Sequence, residues 1–174
     1  MSRRTTTIAA ALSVLALGSP LISSCANSLA DISYNSGVDK YEQGDYQGAI
    51  ADYTKAIKID PQHENAYSNR GIAKDELGDL QGAIADLNKA IEIDPEYAKA
   101  YNNRGTTKGK LKDYQGAIAD LNKALEIDPE YTIAYINRGT AKDLLGDLKG
   151  ACDDWRKAAD LGDERSAEWI NNQC

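Results

Sequence analysis

The residue types that carry most protein chemistry are scarce in this sequence, or badly spaced for it. There is one histidine, His63, which stands beside Pro61-Gln62 with no serine or cysteine nucleophile placed to use it. Histidine is the commonest general base and metal-ligating imidazole, so a single isolated copy leaves little for either role. The three cysteines, Cys25, Cys152 and Cys174, are too far apart for a Cys-x-x-Cys redox pair or a close-set metal site. Carboxylates are plentiful, but Asp52, Asp86 and Asp120 each precede a lysine (Lys55, Lys89, Lys123) by three residues, the spacing of helix-surface ion pairs. Gly48, Gly82, Gly116 and Gly150 could cradle a phosphate only in a glycine-rich loop after a strand, and none has that setting. No catalytic constellation, metal set or cofactor motif results, and the chain reads as a non-enzyme. A net charge of −7 opposes a phosphate backbone, so nucleic acid is not an expected partner.

The elements that position the remaining residues begin after an export leader. Arg3 and Arg4 precede an apolar run from Ile8 to Leu17, the layout of a secretory signal and too short to span a bilayer. Leu21-Ile22-Ser23-Ser24-Cys25 resembles the bacterial lipobox. That resemblance implies a signal over 1–24, lipid attachment at Cys25, a short linker over 25–29 and a membrane-anchored lipoprotein of the cell envelope. The alternative is a soluble periplasmic or secreted protein cleaved after Ala26 or Ala30, and the paired arginines leave a twin-arginine route open.

Beyond the leader the chain repeats itself. Pro61, Pro95 and Pro129 are 34 residues apart, as are Gly37, Gly71, Gly105 and Gly139. Ala49, Ala83, Ala117 and Ala151 fall in the same register, followed by Ala56, Ala90, Ala124 and Ala158. Each unit reads as two helices. Asn65 to Leu77 closes at Gly78, which suits a left-handed turn; Asp79 caps the next helix; Gln81 to Ile93 stops before Pro95. Gly and Ala let the helices cross closely, and Ile50, Ile84, Ile118 with Ile59, Ile93, Ile127 are expected to form the apolar stripe. A hairpin of this size buries that stripe only by stacking on its neighbours, which predicts an all-α superhelix.

Tyr67, Gly71, Ala83, Leu87, Ala90 and Pro95 resemble the tetratricopeptide repeat pattern. The resemblance implies a right-handed solenoid of four helix-turn-helix repeats over 30–63, 64–97, 98–131 and 132–165, with a capping helix over 163–174. Two positions depart from it: Ser33 replaces the tyrosine of unit one, and Asp163 the proline of unit four. Asp163 is expected to cap the last helix, Ala167, Trp169 and Ile170 to cover the end, and Trp169 to meet Trp155. Cys152 and Cys174 each lie eleven residues from Asp163, so helices folding back there would set them side by side as a disulfide. The other reading makes Cys152 a small buried hydrophobe and Cys174 a terminal thiol.

The family resemblance also implies a protein-interaction scaffold whose first helices line a concave face that receives extended peptides or helices. Carried onto this chain, that face holds Asp31, Asn65, Lys99 and Ile133, then Tyr34, Ser68, Asn102 and Ile136, then Val38, Ile72, Thr106 and Thr140. A ladder of Asn35, Asn69, Asn103 and Asn137 runs between them, each amide able to donate and accept along an extended backbone, or else to bond the neighbouring unit. Tyr34, Asn35, Asn69, Lys99, Asn102, Asn103 and Asn137 are the expected contacts. The five positions that in one subgroup clamp a chaperone's terminal carboxylate hold Tyr34, Val38, Asn69, Lys99 and Asn103, which lack most of the charge such a clamp needs. A neutral or mildly basic segment fits better. Arg70, Arg104 and Arg138 read as partners of acidic groups on adjacent units. Self-association through the solenoid ends, giving a homo-oligomer, is the competing role.

Overall fold

The computed structural model describes the backbone of residues 20–174 and the side chains from Leu29 onward, Asn172 excepted. The described residues are helical throughout, in the order α1 (Pro20–Glu42), α2 (Tyr46–Ile59), α3 (Glu64–Glu76), α4 (Leu80–Ile93), α5 (Ala98–Lys110), α6 (Tyr114–Ile127), α7 (Thr132–Leu144), α8 (Leu148–Asp160) and α9 (Glu164–Gln173). Most of the expected leader and the side chain of Cys25 lie outside the described residues. The expected linker over 25–29 belongs instead to α1, because Cys-Ala-Asn-Ser-Leu contains no Gly or Pro to interrupt a helix.

Local rules set the boundaries. Asp45, Asp79, Asp113 and Asp147 cap α2, α4, α6 and α8, each accepting the amide of the glycine three residues on at 2.9 Å. Those glycines leave room for the cap: a Cβ on Gly82 would lie 2.0 Å from the Asp79 carboxylate. Asp60, Asp94 and Asp128 end the second helices in extended backbone ahead of proline. The tight turn within a unit needs a positive φ, supplied by Gly44, Gly78 and Gly146, but in unit three by Lys112 at φ 65°.

The units stack into one helical-repeat solenoid with a string of small cores rather than a single centre. Tyr53, Leu87, Leu121 and Trp155 fill each hairpin, pressed beneath Gly37, Gly71, Gly105 and Gly139; a Cβ on Gly71 would sit 3.0 Å from Leu87. The isoleucine stripe requires correction. Ile50, Ile84, Ile118, Ile93 and Ile127 are only half-buried and Ile59 is exposed. The deep apolar contacts come from the large residue under each glycine and from Ile57 and Leu125. At the C-terminus Asp163 does cap α9, through the amide and hydroxyl of Ser166 at 2.8 and 2.7 Å. Ser166 rather than Ala167 is the buried residue there. Trp155 and Trp169 meet with ring centroids 5.7 Å apart.

Candidate functional site

Successive first helices touch one another, α1 with α3, α3 with α5 and α5 with α7, while the second helices make no contact of comparable extent. The stack therefore curves with α1, α3, α5 and α7 on its inner side, which is where the candidate site lies. A buried ion cluster recurs behind that face. Arg104 grips Asp120 with two bonds of 2.8 and 2.6 Å, donates a third to Asn88 of the preceding unit at 2.7 Å, and lies over the Tyr101 ring at 5.4 Å. Arg138 repeats this with Asp154, Asn122 and Tyr135, and Arg70 with Asp86, Thr54 and Tyr67. Lys74, Lys108 and Lys142 place a second cation on the same carboxylates at 2.7–2.8 Å.

This corrects the pairing expected from sequence. Each arginine takes the carboxylate of its own unit and only an amide or hydroxyl of the unit before. Lys89 and Lys123 turn to Glu92 and Glu126 instead of Asp86 and Asp120. Asp52 does bond Lys55, along with Lys40 and Ser36, since Ser36 stands where the other units have arginine. The two ammonium groups hold its carboxyl well below the usual range.

The asparagine ladder is partly spent inside the protein. Asn69 donates to the Tyr34 hydroxyl at 3.0 Å, and Asn137 to Asn102 Oδ1 at 2.9 Å, each reaching back to the preceding first helix. Asn102 is only 4% exposed and also donates to Asn103 at 3.2 Å, so its assignment as a partner contact is corrected: it is a buried bracket between α5 and α7. Asn35 and Lys99 are exposed, and Tyr34, Asn69, Asn103 and Asn137 are half-buried. Tyr34 packs on His63, centroids 4.8 Å apart, and burial raises its phenol pKa. Lone His63 serves as the cap of α3, Nδ1 accepting from Ala66 at 3.3 Å.

Three hollows the sequence did not announce lie along the inner face, one between each pair of first helices. The first, about 210 Å³, is lined by Val38, Tyr41, Glu42, Tyr53, Asn69 and Ile72. The second, about 150 Å³, lies between Ile72, Asn103, Thr106 and Lys110 over Leu87. The third, about 140 Å³, is formed by Thr106, Tyr114, Asn137, Thr140 and Leu144 over Leu121. One ladder asparagine lines each hollow, and Ile72, Thr106 and the large residue under each glycine recur as walls and floors. Burial pushes the Tyr53 phenol up to about 12 and raises that of Tyr41, so the first hollow presents neutral rings. The signal for these sites was present at Gly109, a helix-interior glycine where the other units carry Tyr41, Asp75 and Asp143. Its missing side chain opens the third hollow.

Cys152 and Cys174 are brought together, Cα atoms 5.9 Å apart and sulfurs at bonding distance. No group of His, Cys, Asp and Glu able to hold a metal ion occurs among the described residues, and no described helix is long and apolar enough to cross a membrane.

Sequence profiles agree with this architecture. The TPR repeat profile matches residues 37–74 and 76–112, and the tetratricopeptide repeat profile residues 98–131. Among solved structures, the Arabidopsis OM64 TPR domain is 30% identical, with a TM-score of 0.66 over 68% of this chain and 98% of that one. The first TPR of Spaghetti (RPAP3), bound to the HSP90 peptide SRMEEVD, is 28% identical, with a TM-score of 0.67 over 69% and 95%. Pseudomonas aeruginosa pilF is 20% identical, with a TM-score of 0.80 over 86% and 69%, a likeness of fold. A search of curated protein sequences finds no match.

Proposed function

Since the chain belongs to the tetratricopeptide repeat family, we propose that it is a non-enzymatic interaction scaffold that receives an extended segment of a partner protein along α1, α3, α5 and α7, held at the cell envelope by a lipid on Cys25. The observation that carries the reading is the series of three hollows spaced one unit apart on the inner face. Walls of Val38, Ile72, Leu144 and neutral tyrosines suit apolar side chains, while half-buried Asn103 and exposed Asn35 offer amide groups to a backbone. Lys99 is the one cation among the seven residues assigned to the face from sequence, so a terminal carboxylate has little to hold it. A neutral or mildly basic segment suits the acidic surroundings, and burial of apolar side chains supplies most of the affinity. On the same reading Cys152 and Cys174 form a disulfide in the oxidising compartment that an exported chain enters.

Thr106 is exposed and borders two hollows, which makes Thr106→Glu a direct test. Short peptides selected by display on the immobilised domain should lose binding to this variant while its helical circular dichroism stays unchanged. Equal binding would place the partner elsewhere. Mass measurement of the mature N-terminus tests the anchor: an acylated Cys25 supports tethering, and an unmodified N-terminus after Ala26 or Ala30 refutes it.

A further inference from the structure

The series of hollows does not end with the fourth unit. Asp163 precedes α9 as Tyr131 precedes α7, so α9 stands where the first helix of a fifth unit would begin. In that register Ser166 matches the buried Ala134, Gln173 matches Ala141, and Trp169 occupies the ladder position of Asn137. Between α7 and α9 lies a fourth hollow of about 200 Å³, lined by Thr140, Asp143, Trp155, Trp169 and Gln173.

Its chemistry differs from that of the other three. The floor is Trp155 where they have Tyr53, Leu87 and Leu121, and the second indole stands 5.7 Å away at 59° to it. The Trp155 N–H is buried without an acceptor and lies against Gly139, so what the hollow meets of that ring is carbon. At the lip, Asp143 is exposed and forms no ion pair among the described residues. The cations nearest in sequence, Arg138 and Lys142, are both committed to Asp154, at 2.5 and 2.8 Å. The first two hollows also have carboxylates, Glu42 in one and Asp75 with Glu76 in the other, but Thr107 and Lys110 already occupy Asp75, and neither hollow has an indole on which a guanidinium can stack. Indole rings beside an uncompensated carboxylate form a receptor for a cation: the ring quadrupole and the carboxylate attract the same charge, and a planar guanidinium can stack on the indole as well.

We propose that the fourth hollow is a subsite for a basic side chain, arginine above all, at one end of the segment that lies in the groove. The subsite rests on the groove reading for its biological use, but its cation preference can be measured alone. The partner segment then carries apolar residues for the first three hollows and an arginine or lysine where it reaches α9.

The chain contains two tryptophans and both line this hollow, so intrinsic indole fluorescence reports on it directly. Butylguanidinium, an arginine side-chain mimic, should change the emission saturably, while butan-1-ol and butyrate at equal concentration should not. Asp143→Asn leaves the fold intact because the side chain is exposed, and it should weaken butylguanidinium binding about three- to fivefold, the scale of a surface ion pair. No saturable response, an equal response to butan-1-ol, or unchanged affinity in Asp143→Asn would each overturn the proposal. A second arm separates the two readings. Peptides selected on the domain should be enriched in arginine or lysine at one end, and the enrichment should vanish on Asp143→Asn. Groove-binding peptides without a basic end would overturn the subsite and leave the groove standing. Butylguanidinium binding with no selectable peptide would do the reverse.

Discussion

Breaking the disulfide proposed between Cys152 and Cys174 should free α9 while the four units stay folded. The link closes a loop with a sequence separation of 22. Chain-entropy reasoning gives such a closure about 3 kcal/mol, all of it bearing on the segment from α8 to the C-terminus. Without it α9, at ten residues, is too short to persist as an isolated helix and rests on Trp169 against Trp155 and on the Asp163 cap. Loss of about 3 kcal/mol corresponds to roughly a hundredfold rise in the opening of α9. Amide hydrogen exchange across residues 164–173, measured with and without dithiothreitol, should therefore accelerate by about two orders of magnitude, while α3 to α6 exchange as before. Emission from the two tryptophans should shift to the red in step, because both lie at the interface that opens. Cys174→Ser should behave as the reduced protein does. Exchange in α9 that changes by less than about threefold on reduction would refute both the loop argument and the pairing of the two cysteines.

The remaining predictions concern the stack. Lys112→Gly should stabilise the domain by about 1 kcal/mol in urea unfolding followed at 222 nm, since it relieves a left-handed backbone carried by a side chain; no gain would mean the turn relaxes at no cost. Arg104→Ala should cost about 2–3 kcal/mol, toward the lower end for a broken buried pair because Lys108 remains on Asp120, and Arg104→Lys should not restore the loss because it cannot make the two-pronged bond. Acid should act through Asp52. Its pKa is depressed in the fold, so its contribution is complete above the unfolded value near 4 and disappears as pH falls below it, and Asp52→Asn should flatten that part of the stability–pH curve.

The period of the chain was legible because the residues that set it do the same work from unit to unit: glycine and alanine at crossings, aspartate at caps, and, in the first three units, proline opening the turn after the second helix. Within a unit the reading was weaker. The isoleucines looked like the core because they are the most apolar residues at helical spacing, yet burial went to whichever large side chain sat under the glycine, tyrosine or tryptophan included. The arginines were recognised as ion-paired but assigned to the wrong unit, since a spacing of 16 residues across a hairpin turn is not visible in a one-helix periodicity. For the asparagine ladder the sequence left two readings open, amides free for a partner or amides bonded to the neighbouring unit. In a curved stack the inner edge of a first helix is also the edge that meets the next one, so a side chain there can be consumed by the neighbour, as Asn69 and Asn137 are.

That overlap suggests where selectivity resides. Four copies of one motif allow a comparison within a single chain, and positions that keep their chemistry from unit to unit are those that hold the stack: the small crossings, the capping aspartates, the Arg–Asp pairs of units two to four. Positions that change are those that line the hollows beside the constant asparagine ladder. Val38, Ile72, Thr106 and Thr140 run from branched aliphatic to hydroxyl; Tyr41, Asp75, Gly109 and Asp143 from ring to carboxylate to nothing; Glu42, Glu76, Lys110 and Leu144 from acid to base to apolar. Asp75, bonded to Thr107 and Lys110, and Thr106, which accepts from Asn137, also reach the next first helix; the other side chains face the groove, so departure from the repeat costs little stability there. A segment lying along the face would therefore meet four different environments in a fixed order, with the two indoles and Asp143 at one end, and that order gives an otherwise repetitive surface a direction in which to read its partner.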